Sequence, residues 1–247
     1  MHFAIDAALL DGFVLALVRA TAWVFVTPPF STRGIPWRVR AGVAVALALA
    51  AAAEVDARLP NDVGGLAVAL VLQAFTGFAL GFLVYLLVSA IQAAGGLIDD
   101  ASGFNLAAML DPLSEINASV FARFYQLLAI VLLFVTDLHL VLVRGFMRSF
   151  AAVPAVRISD LARLVTEELG VFLVSAIEIA GPVIAVLFLT EIAFGILARA
   201  APAMNVFVLA FPVRIVVALL GVSIALPLVA PALERLVADA LRGGLGL

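Results

Sequence analysis

Residues 63–98 form a run of thirty-six residues without one charged side chain, and this run restricts the fold more than any other feature. As a single helix the run measures about 54 Å, whereas the hydrocarbon core of a bilayer is about 30 Å thick. We therefore predict a membrane helix that tilts, bends or protrudes, or else a hairpin of two helices. Gly77 and Gly81, two small residues four apart, either seat a neighbouring helix or weaken the run locally.

Further apolar segments span residues 7–26, 41–53, 124–143, 169–197 and 206–233. Together with the long run they predict six hydrophobic helices, or seven if the run folds back. Stretches rich in proline and glycine, such as TPPFSTRGIPWRVR, separate or break these segments. The predicted fold is all-α: an integral membrane protein of helical hairpins. No polar linker divides the chain, so residues 1–247 are predicted to form one domain.

The composition excludes several classes of function. Apolar residues make up 66% of the 247 residues and charged residues 13%, and the net charge of -3 with scattered arginines leaves no footprint for nucleic acid. The chain has no cysteine and only two histidines, which excludes thiolate sites and a histidine-rich metal site within one subunit. Since neither a glycine-rich phosphate loop nor an HExxH motif is present, we expect no cofactor and no enzymatic activity.

Isolated polar side chains within apolar segments are the candidates for buried charge, and they are Arg19, Asp137, His139, Glu178, Glu191 and Arg214. Glu178 and Glu191 lie within an apolar segment, and Asp99 and Asp100 end the longest run. A charge inside a bilayer costs a few kcal/mol, so each invites a functional hypothesis. Glu178 precedes Pro182 by four residues, and the proline has no N–H for the carbonyl of residue 178. A proton-coupled secondary transporter of a small solute would use such a carboxylate as proton carrier. Alternatively, these carboxylates pair with arginines on neighbouring helices or a partner subunit.

Three stretches carry a resemblance to a known family: PPFSTRGIPWRVRAGVAVALA, QAAGGLIDDASGFNLAAMLDP and RAAPAMNVFVLAFPVRI. With the length and order of the segments, the chain resembles the FliR family, a subunit of the flagellar type III protein-export gate. More distantly it is similar to the SctT subunit of virulence injectisomes. The last stretch looks like the family's Arg-x-x-Pro-x-x-Asn-Val-Phe, then Phe-Pro and a basic residue. The matching residues are Arg199, Pro202, Asn205, Val206, Phe207, Phe211, Pro212 and Arg214. Ala203 departs from the glutamine that the family often carries.

The resemblance implies a non-enzymatic, channel-forming subunit in the bacterial inner membrane, at the flagellar basal body. The implied partners are the P, Q and B subunits of the gate, unfolded secreted proteins and membrane lipid. We assign the last stretch to assembly: Pro202 and Pro212 break the helix, Asn205 satisfies freed backbone groups, and Arg199 and Arg214 pair with carboxylates. Phe207 belongs to the same group. A purely structural scaffold is the third alternative, beside the gate and the transporter.

The family's central loop helps plug the closed pore, and by position this role maps onto residues 103–111. The assigned residues are Gly103, Phe104, Asn105, Leu106, Met109 and Leu110. Apolar constrictions seal a pore by dewetting, and a methionine side chain is flexible enough to yield. Gly103 lets the backbone bend. The alternative is an ordinary surface loop that connects two helices. A calcium loop is not expected, because the residues between Asp100 and Asp111 are mostly apolar.

Overall fold

The computed structural model describes residues 7–32, 34–55, 59–60, 62–104, 119–152, 158–202 and 205–245. These ranges contain seven helices and no strand, and the protein is all-α as predicted. The helices are α1 (Ala7–Val26), α2 (Trp37–Ala51), α3 (Val63–Ser102), α4 (Val120–Val135), α5 (Leu138–Ala152), α6 (Ile158–Ala200) and α7 (Val206–Leu245).

Four of the described helices are long and apolar enough to cross a membrane, and α4 with α5 adds a fifth span if the two count as one broken span. The four are α1, α3, α6 and α7. The chain is therefore an integral membrane protein. Helices α3, α6 and α7 have 40, 43 and 40 residues. Each is about 60 to 65 Å long, roughly twice the hydrocarbon thickness.

The long apolar run does not fold back, because α3 continues through Gly77 and Gly81 to Ser102. Both glycines seat α1 instead. A Cβ atom on Gly77 would collide with the backbone carbonyl of Arg19, and one on Gly81 would lie 3.0 Å from the carbonyl oxygen of Trp23. The small pair thus lets two helix backbones approach closely, and the alternative of a hairpin is wrong.

The apolar segment 124–143 is broken, contrary to the sequence prediction of one continuous helix. Helix α4 ends at Val135 and α5 begins at Leu138. Asp137 lies in this break with a φ of 56°, a left-handed conformation that aspartate tolerates better than most residues. Its carbonyl accepts a hydrogen bond from the N–H of Leu140 at 3.0 Å, which starts α5. Hydropathy indicates whether a segment lies in an apolar environment, but it does not indicate where the backbone turns. The break between Val135 and Leu138 was therefore not predicted.

One compact unit of the chain comprises Met1–Leu86, Thr136–Leu169 and Val237–Leu247. In this unit α1 and α2 form a hairpin. The core contains a stripe of alanines on α2, Ala44, Ala48 and Ala51, together with Trp23 and Phe146. The rings of Trp23 and Phe146 stack with centroids 4.6 Å apart, which packs α5 against α1.

Arg19 is buried in the same unit and connects three helices. Its Nε donates a hydrogen bond to Oε1 of Gln73 on α3 at 2.6 Å, and one terminal nitrogen donates to the carbonyl of Ser149 on α5 at 2.9 Å. The guanidinium carbon lies 4.5 Å from the centroid of the Phe150 ring. These contacts replace the water that the charge loses within a membrane helix.

The second compact unit comprises Leu87–Val135 and Gly170–Leu236. Here α6 and α7 form a hairpin in which Gly221 receives the side chain of Val183: a Cβ atom on the glycine would lie 3.1 Å from Cγ1 of the valine. Ala218 and Ala225 are also buried on α7. Small residues again permit close helix packing, while many large apolar side chains of this hairpin remain exposed in the single chain.

Candidate functional site

The Asp99 carboxylate connects the end of α3 to the beginning of α4. It is completely buried, and its two oxygens accept hydrogen bonds from the N–H groups of Phe121 at 3.0 Å and Ala122 at 2.9 Å. The first N–H groups of a helix have no partner within the helix, and they carry partial positive charge. Asp99 therefore caps α4 from a residue 22 positions away in sequence.

Gly95, one turn before Asp99, allows this approach. A Cβ atom at Gly95 would collide with the carbonyl oxygen of Phe121 and come within 2.8 Å of the Cα atom of Ala122. The neighbouring Gly96 has no such constraint, because its nearest contact would be the Cβ atom of Ala122 at 4.0 Å. Glycine at position 95 is thus required for the helix pair that Asp99 holds together.

Gly103 ends α3 at the start of the predicted plug loop. Its φ is 83°, in the left-handed region that favours glycine. The N–H groups of Gly103 and Phe104 both donate to the carbonyl of Asp99 at 3.1 Å, which caps the last turn of α3. The ring of Phe104 then packs edge-on against Phe121, with centroids 5.3 Å apart.

The described part of the predicted plug loop is consequently its base. Gly103 and Phe104 cap α3 and contact α4, whereas Asn105, Leu106, Met109 and Leu110 lie outside the described residues. The end of α3 and the start of α4 are held together by the buried carboxylate of Asp99 and by the ring contact between Phe104 and Phe121. Asp100, predicted as a buried charge beside Asp99, is exposed in this chain.

The second group of predicted residues surrounds the turn between α6 and α7. Arg214 forms an ion pair with Glu191, and the side chains are 23% and 56% exposed. Arg199 is exposed in the last turn of α6, and Pro202 follows the end of that helix. The prediction that Pro212 breaks a helix is wrong, since α7 continues through it. The side chain of Phe207 lies outside the described residues.

Asn205 directly precedes α7, in the position of a cap. Its backbone carbonyl accepts a hydrogen bond from the N–H of Val208 at 3.1 Å. Among the residues that the structure describes, no hydrogen bond of its side chain is seen, and its predicted role in satisfying freed backbone groups stays a prediction. Sequence reasoning assigned the side chain to the backbone groups that Pro202 and Pro212 were expected to leave without partners.

The structure does not bring Glu178 and Glu191 together. Both are exposed in the single chain, and Glu191 is occupied by Arg214. Sequence reasoning missed the role of Gly95 and the partners of Arg19, because each contact joins residues distant in sequence. The paired glycines at 95 and 96 within an apolar helix were the only available signal of a close approach.

Comparison with known proteins covers nearly the whole chain. The profile of the family described as bacterial export proteins, family 1, matches residues 10–240. The flagellar biosynthetic protein FliR of Escherichia coli (strain K12) is 30% identical over 237 residues, which are 93% of this chain and 90% of the relative. FliR of Bacillus subtilis (strain 168) is 27% identical over 228 residues, 90% of this chain and 88% of the relative.

The chain is more distantly similar to a second group of proteins, named SpaR. The surface presentation of antigens protein SpaR of Shigella flexneri is 26% identical over 152 residues, which are 60% of this chain and 58% of that protein. The Asp99 contact and the turn between α6 and α7 both lie within the residues that the family profile matches.

Proposed function

The chain belongs to the bacterial export proteins, family 1, and we propose that it is a channel-forming, non-enzymatic subunit of the flagellar type III protein-export gate. In this proposal it helps build and plug the pore through which unfolded flagellar proteins leave the cell. Its partners are the P, Q and B subunits, and its location is the bacterial inner membrane at the flagellar basal body. The similarity to FliR proteins over about nine tenths of the chain supports the flagellar assignment.

The observation that carries the proposed plug is the Asp99 contact at the loop base. A plug must return to one position after each passage, and a loop whose two ends are free to separate has no defined position. Asp99 and Phe104 fix those ends to each other through Phe121 and Ala122. Leu106, Met109 and Leu110, in the segment that follows this base, provide apolar surface for a constriction that excludes water and ions.

A comparison of two loop variants tests the plug. Serine at positions 106, 109 and 110 (Leu106→Ser, Met109→Ser, Leu110→Ser) makes the constriction wettable, so ions should leak through the assembled gate. The matched control, Leu106→Ile, Met109→Leu and Leu110→Ile, keeps the apolar surface and should stay sealed. Both leave Gly103 and Phe104 in place, so the cap of α3 is preserved.

Ion conductance is measured in vesicles with the purified complex, after its subunits are identified by mass. An intact complex of the serine variant with the conductance of the unmodified gate would exclude the plug. A chain that co-purifies with no other export subunit would contradict the wider proposal.

A further inference from the structure

Glu178 is an exposed carboxylate within a helix that is apolar enough to span a membrane. The candidate span of α6 runs from Leu169 to Ala200, and Glu178 is about 14 Å along the helix from its first residue. Within the described part of the chain, no hydrogen bond or ion pair involves this carboxylate. A charge at such a depth needs a partner or water, because lipid tails provide neither.

The side of α6 that carries Glu178 faces away from the hairpin core. The buried stripe of α6 consists of Ala176, Ile179, Ala180, Val183 and Leu187. Glu178 lies about 200° around the helix from Ala176, on the opposite side. Its neighbours Val174 and Ile177 are 56% and 61% exposed. The carboxylate therefore lies on the outer surface of the chain, among apolar side chains.

Two further features at this position are a second hydrogen-bond acceptor and open space beside it. Pro182 has no N–H, so the backbone carbonyl of Glu178 lacks the donor that a helix normally supplies four residues later. Gly181 leaves open space beside it, since a Cβ atom there would meet nothing within 4 Å. A carboxylate and a carbonyl without its usual helical donor thus lie next to a notch that a side chain from outside can enter.

Glu191, a second carboxylate on the same helix, does have a basic partner within the chain. It is also exposed, but Arg214 of α7 pairs with it across the surface of the hairpin. The packing of Val183 on Gly221 means that the part of α7 beyond Gly221 runs alongside the Glu178 end of the hairpin. Residues 221–233 contain no charged side chain, so α7 cannot supply the same pairing there.

We propose that the notch formed by Glu178, Gly181 and Pro182 is a docking point for an arginine or lysine on a membrane helix of a neighbouring subunit. The proposal rests on the proposed function, which places this chain in a multi-subunit gate. A basic side chain supplies donors to both the carboxylate and the backbone carbonyl of Glu178, and it neutralises the charge. The surrounding apolar side chains, Val174 and Ile177, exclude water from the pair and strengthen it.

Substitutions at position 178 distinguish a basic partner from lipid. Glu178→Leu suits a lipid-facing surface, but it would leave the partner's cation unpaired. We expect it to lower the recovery of other subunits with the tagged full-length chain by at least about tenfold. Glu178→Asp keeps the charge and is the matched control, with recovery within about threefold of the unmodified chain. The level of the chain in the membrane should stay unchanged in both, since Glu178 is outside the core.

A cross-linking experiment identifies the partner with Glu178 intact. A photoreactive amino acid at Val174, one turn away, should cross-link to a membrane segment of another subunit that contains arginine or lysine. Changing that residue to glutamate should then restore assembly of Glu178→Arg. Cross-links only to lipid, or to a segment without a basic residue, would overturn the proposal, as would normal assembly of Glu178→Leu. If the unmodified chain recovers no export subunit, the proposed function itself fails, whereas equal recovery with Glu178→Leu removes only this docking point.

Discussion

Replacement of Asp99 by asparagine is the most direct probe of the loop base. The two carboxylate oxygens of Asp99 accept one hydrogen bond each, from Phe121 and Ala122. An asparagine side chain of the same shape offers one oxygen and one NH2 group. One backbone N–H of α4 would therefore lose its acceptor and face another donor in a completely buried site.

The expected cost follows from this count of hydrogen bonds. A hydrogen bond to a charged group contributes about 1.5 to 3 kcal/mol, and the Asn variant loses one and weakens the other. Since about 1.4 kcal/mol corresponds to a factor of ten, the start of α4 should open roughly tenfold to hundredfold more often. The remainder of α4, including Tyr125 and Ala129 in its buried face, should keep its protection.

Hydrogen exchange followed by mass spectrometry measures this opening in the detergent-solubilised protein. Peptides that contain Phe121 and Ala122 should exchange faster in Asp99→Asn than in the unmodified chain. Asp100→Asn is the matched control, because Asp100 is adjacent but exposed, and its effect should stay within about 0.5 kcal/mol. Equal exchange in the two variants would refute the conclusion that Asp99 holds α4 to α3.

Two further pairs of variants test the helix contacts. Gly95→Ala places a Cβ atom against the Phe121 carbonyl and should lower the free energy of unfolding by about 1 to 3 kcal/mol. Gly96→Ala should be neutral or slightly stabilising. Thermal unfolding in detergent compares the two variants, and equal unfolding midpoints would contradict the close approach at Gly95. Arg214→Ala should destabilise the α6–α7 hairpin by leaving Glu191 without its cation in an apolar helix, and the charge exchange Arg214→Glu with Glu191→Arg should recover most of the loss. A double variant no more stable than Arg214→Ala would show that the ion pair contributes little.

Much of the fold follows from hydropathy, because a bilayer offers no water to unpaired backbone N–H and C=O groups, and a long apolar segment therefore crosses it as a helix. The run 63–98 predicted membrane helix in one piece or as a hairpin, and Gly77 with Gly81 indicated either a close neighbour or a local weakening of the run. Sequence alone did not decide between these alternatives or identify α1 as the neighbour. The break at Asp137 escaped prediction. An isolated charged residue in an apolar segment gives the same sequence pattern whether the helix continues through that residue or is broken there.

The loop base was only partly predictable, since its key contact is between distant residues. Sequence analysis assigned Asp99 and Asp100 together to the end of an apolar helix. Nothing in the sequence distinguishes the buried carboxylate from the exposed one, because the difference depends on where α4 begins. In the same way, the sequence does not show which of Glu178 and Glu191 is paired within the chain, because that depends on the position of Arg214 on the adjacent helix.

The contact between Asp99 and α4 also has a consequence for the length of the connection between α3 and α4. Once two helix ends are held at a fixed separation, the entropy of closing the connection between them grows only with the logarithm of its length, about 0.6 kcal/mol for each doubling. Insertions after Phe104 and before Ser119 therefore add little cost to the folding of the chain. A short epitope inserted there should therefore leave the contact between the end of α3 and the start of α4 in place.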